Sequence, residues 1–495
     1  MVKNAVSACF VSLAAITAAP TTLAADLPAR KEPPPVVAAP VFTWTGFHLG
    51  YNRGYGGGVY EASAGLAAPP YGWATQTSDR ASGWITGLQA GYDRQFGNNV
   101  VLGVETDLQW SDIQASHQEA TATSDPSLAA VVNTSQSLEW FGTTRARLGY
   151  SSGRLLPYVT GGVAYGETSV KSVQALPGFV LGVSQRSTGV GWAAGAGLDV
   201  ALSDRISARA EYLYLQLPGA AGLAAGVTPT IPALAGSYRT GTTEAHLVRG
   251  GLNYRFAGFN DLMPATPQGD LLDTIKGILF QDPTLDWSGV YGGVSAGYGG
   301  GALNLLTSAS TPGFARATNL NDRSGGAIAG AQIGYQRQIA NRFVLGVESD
   351  AQWSGVTASH QEAAFALNGV AAGASYGMDW FGTTRARLGL ARGSSLTFVT
   401  GGVAYGGVSV SGTQAGALLP GDGRTQFGWT LGSGTEYALT DKLSLKADYL
   451  YVSLNGVSGQ GLAFAPAPVA GSYATGRLVT QVTRVGLNWR FGSSR

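Results

Sequence analysis

Cysteine is almost absent from this chain: Cys9 is the single one, and only 3 methionines accompany it in 495 residues. Without a second thiol there is no disulfide framework and no thiolate metal cluster within the chain. Charge is scarce as well. Asp, Glu, Lys and Arg together make up 12% of the sequence, about half the usual share. The 31 basic and 30 acidic side chains leave a net charge of +1, so the electrostatic footprint of a nucleic-acid binder is missing. So few Lys and Glu also exclude long solvated helices, coiled coils and acidic disordered tails. After the first two dozen residues no apolar run approaches the ~18 residues of a membrane-spanning helix. What the chain does hold is 73 Gly, 21 Tyr, 17 Phe and 11 Trp. A glycine- and aromatic-rich chain of middling hydropathy points to β-strands whose outer face does not meet water.

Residues 1–25 read as a secretory signal peptide: Lys3 begins it, Ala5 to Ala19 form its apolar centre, and Leu23, Ala24 and Ala25 offer a cleavage site. Cys9 lies inside this segment, so the mature chain has no thiol. The stretch ahead of Cys9 is too short for a lipoprotein signal. Residues 26–41, with Pro33, Pro34 and Pro35, read as an extended periplasmic lead-in without a core.

The sequence repeats itself. Trp140 to Gly149 recurs unchanged at Trp380 to Gly389, and Val159 to Gly166 at Val399 to Gly406. Gly251 to Phe256 answers Gly486 to Phe491. The offset falls from 243 at Glu105/Glu348 to 235 at Phe256/Phe491, and each change lies in a Gly-, Ala- and Ser-rich stretch. Loops tolerate such length changes and paired strands do not. Two homologous modules follow, at 42–256 and 285–491, joined by a linker at 257–284. Within the linker, Leu271 to Phe280 is a candidate short amphipathic helix. Residues 492–495 form a tail.

Each module holds eight strand-like blocks, in the first near 42–56, 83–96, 99–113, 137–150, 154–167, 188–202, 205–216 and 245–256. Their connections alternate between tight turns and stretches of about 20 residues or more near 57–82, 114–136, 168–187 and 217–244, read as long loops. Short turns on one side and long loops on the other mark an up-and-down outer-membrane barrel. The expected fold is therefore all-β: two tandem eight-stranded membrane barrels, with one 16-stranded barrel as the alternative. A joint as long as 257–284 suits the former.

Alternation within the strands picks out the two faces. Leu102, Val104, Leu108 and Trp110 oppose Glu105, Asp107 and Gln109; Trp140, Ala146 and Leu148 oppose Arg145 and Arg147. An outward charge near the bilayer midplane costs about 2–4 kcal/mol, so the charged face points inward. The interior set is Glu105, Asp107, Arg145, Arg147, Asp199, Arg209, Glu211, Arg249 and Arg255 in the first module. In the second it is Glu348, Asp350, Arg385, Arg387, Glu436, Lys446, Asp448, Arg484 and Arg490. An eight-stranded interior is just wide enough for side chains to fill, so paired charges of both signs read as a structural plug, and a conducting lumen is the alternative.

Several blocks together carry a family resemblance: Ala25 to Pro28, Trp44 to Phe47, Trp140 to Gly149, Val159 to Gly166, Glu211 to Tyr214 and the closing Gly251 to Phe256. With these the chain resembles the small outer-membrane immunogenic β-barrel proteins of alphaproteobacteria, a porin-family or OmpA-like group, here in tandem. The resemblance implies an outer-membrane barrel of a Gram-negative bacterium with periplasmic N-terminus and linker and extracellular loops. Its implied roles are structural and antigenic, with porin and adhesin as alternatives. Implied partners are outer-membrane lipid, lipopolysaccharide and the barrel-assembly machinery, with a host ligand unspecified. Phe256 and Phe491 take the place of the family's assembly-signal aromatics. It supplies no catalytic residues and no cofactor.

Among the four histidines, His117 with Glu119 and His360 with Glu362 recur between modules, a weak candidate surface site for a metal or an acid–base pair. No third ligand or nucleophile repeats beside them, so no enzyme and no metal is expected. The glycines at 54, 56–58 and 161–162 lack a phosphate-loop lysine and read as strand glycines.

Overall fold

In the computed structural model the described residues are 42–491, except 69–70, 124–129, 177–178, 228–233, 257–281, 312–313, 340–341, 365–369, 415–416, 420–422 and 465–467. The expected signal peptide, lead-in, 271–280 helix and 492–495 tail fall outside the described residues. Every regular element among the described residues is a strand.

The first module contains β1 (Gly46–Ala68), β2 (Tyr71–Gln95), β3 (Val100–Thr123), β4 (Ala130–Tyr150), β5 (Leu155–Leu176), β6 (Phe179–Ala201), β7 (Ile206–Leu217), β8 (Ala221–Val227), β9 (Leu234–Thr240) and β10 (Thr243–Phe256). Consecutive strands from β1 to β7 pair antiparallel, β7 pairs with β10, and β10 returns to β1 with Phe47 opposite Phe256. The second module contains β11 (Gly289–Thr311), β12 (Phe314–Ile339), β13 (Phe343–Ala364), β14 (Val370–Arg392), β15 (Ser395–Gln414), β16 (Ala417–Leu419), β17 (Gly423–Ala438), β18 (Leu443–Leu454), β19 (Ser458–Phe464), β20 (Pro468–Thr475) and β21 (Leu478–Phe491). Its main strands follow the same circuit, and β21 returns to β11 with Val290 opposite Phe491.

The period-two pattern explains the faces. Along β7 burial alternates without a break, with Ser207, Arg209, Glu211 and Leu213 buried. Outward positions such as Leu88, Val104, Val159, Val347 and Leu431 are each more than 50% exposed, forming an apolar band. Aromatic residues bound it, with Tyr92, Phe96, Tyr335 and Phe343 at the tight-turn end and Trp110, Trp192, Trp353 and Trp429 at the other. A side chain of this kind facing water would be costly, whereas lipid accepts it.

The long connections depart from expectation. They are strand for much of their length: β1 runs 23 residues and β12 runs 26, where a bilayer needs about 9–11. Beyond the upper aromatic girdle the outer face no longer meets lipid, so hydrophobic alternation fades. Backbone pairing between hairpin arms continues because it needs no side-chain pattern. There the two modules also pair with each other. His117 to Thr123 of β3 lie opposite Arg316 to Asp322 of β12, and Thr75 to Thr77 of β2 opposite Glu362 to Ala364 of β13.

Close approach constrains a matched pair of glycines, among others. A Cβ on Gly162 would stand 2.1 Å from the Thr144 carbonyl oxygen, and one on Gly402 2.1 Å from that of Thr384. At Gly161, one position earlier, the nearest atom is a carbonyl oxygen at 3.7 Å. Gly162→Ala is expected to destabilise the first module by about 1–3 kcal/mol through overpacking, and Gly161→Ala to leave it nearly unchanged. Urea titrations of the two variants in detergent micelles check this; equal midpoints would contradict it.

Candidate functional site: the filled interior

The tight-turn end of each module is stoppered by a tryptophan. Trp44 is fully buried against Val101, Leu156 and Ala201, its backbone N–H donates to Gln95 Oε1 at 2.9 Å, and its indole N–H donates to the Gly153 carbonyl at 3.1 Å. Trp287 repeats this against Val344, Ala391 and Leu396, with its N–H donating to Gln338 Oε1 at 2.9 Å. The guanidiniums of Arg255 and Arg490 lie over the two rings, at 4.5 and 4.9 Å. Each also donates to backbone, to the carbonyls of Thr43 and Asp286. These two arginines thus stand apart from the carboxylates with which the sequence had grouped them.

The next layer is ionic. Arg145, on β4, reaches Glu105 at 2.9 Å, Asp107 at 3.0 Å and Glu211 at 2.9 Å. Arg147 reaches Asp199 at 2.8 Å and Glu105 at 3.3 Å; Arg209 takes Asp199 at 2.7 Å and also Glu105; Arg249 takes Asp107 at 2.7 Å and also Glu211. The second module repeats the layer in shifted residue types. Arg385 meets Asp350 at 2.8 Å and also Glu348, Arg387 meets Glu436 at 2.6 Å, Lys446 meets Glu348 at 2.6 Å and Asp448 at 3.3 Å, and Arg484 meets Asp448 at 2.8 Å and Asp350 at 2.9 Å. All of these side chains are buried. Strand alternation aims them inward, and neighbouring strands set opposite signs side by side: Glu105 lies opposite Arg145, and Glu211 opposite Arg249.

The third layer is apolar, a feature the sequence reading missed. Ile85, Ile113, Leu138, Phe141, Leu213 and Leu247 are buried above the charges in the first module. Ile328, Val356, Met378, Phe381, Leu450 and Val482 do the same in the second. Near each layer boundary β3 and β13 carry a bulge just past Trp110 and Trp353, and β4 and β14 one beside Trp140 and Trp380, which re-aim the following side chains.

Two further interior residues escaped notice. His48 Nε2 lies 3.1 Å from Glu105 and its Nδ1 3.6 Å from Asp93. At the matching positions the second module carries Tyr291, whose hydroxyl donates to Glu348 at 2.7 Å, and Gln336, whose amide donates to the Trp287 carbonyl at 2.8 Å. Asp93 was legible as an inward position of β2, in step with Gln89. The paired replacement, His and Asp for Tyr and Gln, keeps each layer hydrogen-bonded.

The histidine candidate requires correction. His117 is fully buried, not on a surface, and its Nδ1 lies 2.8 Å from Asp322 of the second module. Tyr376 donates to the other oxygen of Asp322 at 3.0 Å. Strand pairing between the modules encloses what looked like a loop position. The side chains of Glu119, His360 and Glu362 lie outside the described residues. Among the described residues no cluster of three or more His, Cys, Asp or Glu has the arrangement of a metal site. Phe256 and Phe491 end β10 and β21.

Charged side chains also appear on the outer face. Arg53 is exposed and points outward on β1, its guanidinium 4.6 Å over the Trp84 ring at the upper girdle. A long side chain at that height carries its charge to the headgroups.

A sequence model of the outer membrane protein beta-barrel domain matches residues 37–256 and again 281–491. The chain belongs to this outer-membrane β-barrel family. The family member described here is an outer-membrane protein and carries the domain twice. It is 36% identical over 261 residues to the 31 kDa outer-membrane immunogenic protein of Brucella melitensis biotype 1, covering 50% of this chain and 99% of that protein. Against the 25 kDa outer-membrane immunogenic protein of Brucella canis it is 32% identical over 209 residues, 42% of this chain and 82% of that one. Among solved structures, the outer membrane protein OprG from Pseudomonas aeruginosa aligns with 42% of this chain and 98% of its own at 12% identity and a TM-score of 0.26.

Proposed function

We propose that this outer-membrane protein folds as two separate eight-stranded barrels, 42–256 and 285–491, each closed to solute flow by its own side chains. Its work is then structural and surface-displayed: it braces the envelope and presents long hairpins outside the cell. The N-terminus, the 257–284 linker and the tight turns are periplasmic. Lipid and lipopolysaccharide surround it, and the assembly machinery recognises the strands ending at Phe256 and Phe491. The names of the Brucella relatives, as immunogenic outer-membrane proteins, favour surface display.

One observation carries the reading of a closed interior. From Trp44 through the Arg145 network to the Leu213 and Leu247 layer, successive side chains are buried against one another. A water-filled lumen would leave them wet. Planar-bilayer recording of the purified full chain is expected to give no large, stable conductance. A steady water-filled conductance would establish a porin instead.

A further inference from the structure

Where the modules stand side by side, their outer faces touch at one girdle-level contact and part beside it. Tyr55 and Trp84 of the first meet Tyr298 and Tyr449 of the second, and the Trp84 indole donates to Gln481 at 2.6 Å. Next to this contact lies a cavity of about 830 Å³, a volume typical of small-molecule sites. Its deep walls are lipid-facing positions of both modules, Leu198 and Val248 on one side and Ala329 and Val485 on the other. Its mouth is polar: Arg80, Glu244 and His246 line it at and above the girdle. His246 shares a 2.8 Å hydrogen bond with Tyr212, and Glu244 accepts one from Gln216 at 3.5 Å. Arg80 differs. Its Nε is buried without a hydrogen-bond partner among the described residues. Arg80 is half-buried, and an enclosed, unpaired guanidinium N–H beside an apolar cleft can donate to an anion.

We propose that this cleft holds a phosphorylated, acylated lipid of the outer leaflet, with its phosphate on Arg80 and an acyl chain between the two modules. The proposal rests on the two-barrel reading, since a single large barrel would have no such cleft. Both halves of the ligand are argued from position: acyl chains already bathe the outward faces, and the only charge without a partner at the mouth among the described residues is positive.

The test is native mass spectrometry of the full chain extracted from outer membranes in mild detergent. Wild type is expected to retain a phosphate-bearing lipid that added inorganic phosphate does not displace. Arg80→Gln should reduce retention about tenfold, the loss of a charge-assisted hydrogen bond, and Ala329→Trp should reduce it by filling the cleft. Arg154→Gln, at an exposed turn pair with Asp204, should retain as much as wild type. Equal retention in wild type and Arg80→Gln would overturn the proposal, as would a bound hydrocarbon or detergent without phosphate, or displacement by phosphate alone. Bilayer recordings on the same preparations separate the two failures. A large conductance sinks the two-barrel reading, whereas a silent bilayer with indifferent Arg80→Gln sinks only the lipid site.

Discussion

Arg145→Met is expected to destabilise the first module by about 3–5 kcal/mol, the cost of removing one partner from a buried ionic network. The reason is the company Arg145 keeps. It is the shared partner of Glu105, Asp107 and Glu211, all within 3.0 Å and all buried. Methionine would fill much of the volume but leave those carboxylates with only the remaining arginines in a place water does not reach. Arg385→Met should act likewise on the second module, where Arg385 joins Glu348 and Asp350. The exposed Arg154–Asp204 pair offers the contrast: Arg154→Gln should shift stability by less than about 1 kcal/mol. Urea unfolding in micelles, followed by tryptophan fluorescence, reads all three. If Arg145→Met and Arg154→Gln unfolded at the same midpoint, the ionic layer would be solvated and the plug reading would fail.

Much of this interior was legible from alternation alone. Glu105, Asp107, Arg145 and Arg147 occupy every second position of strands whose other face is apolar, and a lipid-facing charge near the midplane is costly enough to settle their direction. The duplication made the assignment firmer, because the second copy shifts residue types, as in Arg209 and Lys446, while keeping the pairing of signs. The tight turns were legible too. At Gly97, Asn98 and Asn99 the chain must reverse within a few residues, and Asn99 adopts a φ of 65° to do so.

What stayed hidden has a common physical cause. Contacts between residues distant in sequence leave no local pattern. Trp44 looked like a strand residue near a terminus, and only the folded ring places it under Val101, Leu156 and Ala201. His117 looked exposed because its neighbours are Ala, Ser, Gln and Glu, yet a strand of the other module lies across it. Long hairpins were read as loops because Gly-, Ala- and Ser-rich arms show no alternation once lipid no longer faces them. Arg53 and Arg80, outward charges near the upper girdle, broke the rule that every strand charge points inward, since that rule weakens toward the interface.

The most direct measurement concerns which strands are neighbours. In antiparallel pairs facing residues lie about 4.5–5.5 Å apart at Cα, within disulfide reach. Leu49 faces Tyr254 across the β1–β10 junction, and Trp489 lies on β21, which pairs with β11. With Cys9 replaced, Leu49→Cys with Tyr254→Cys is expected to cross-link nearly completely in membranes under mild oxidation. Leu49→Cys with Trp489→Cys should stay reduced. A single 16-stranded barrel would bring β1 beside β21 and reverse the result. Cross-linking at 49/489 with none at 49/254 would contradict the two-barrel fold outright.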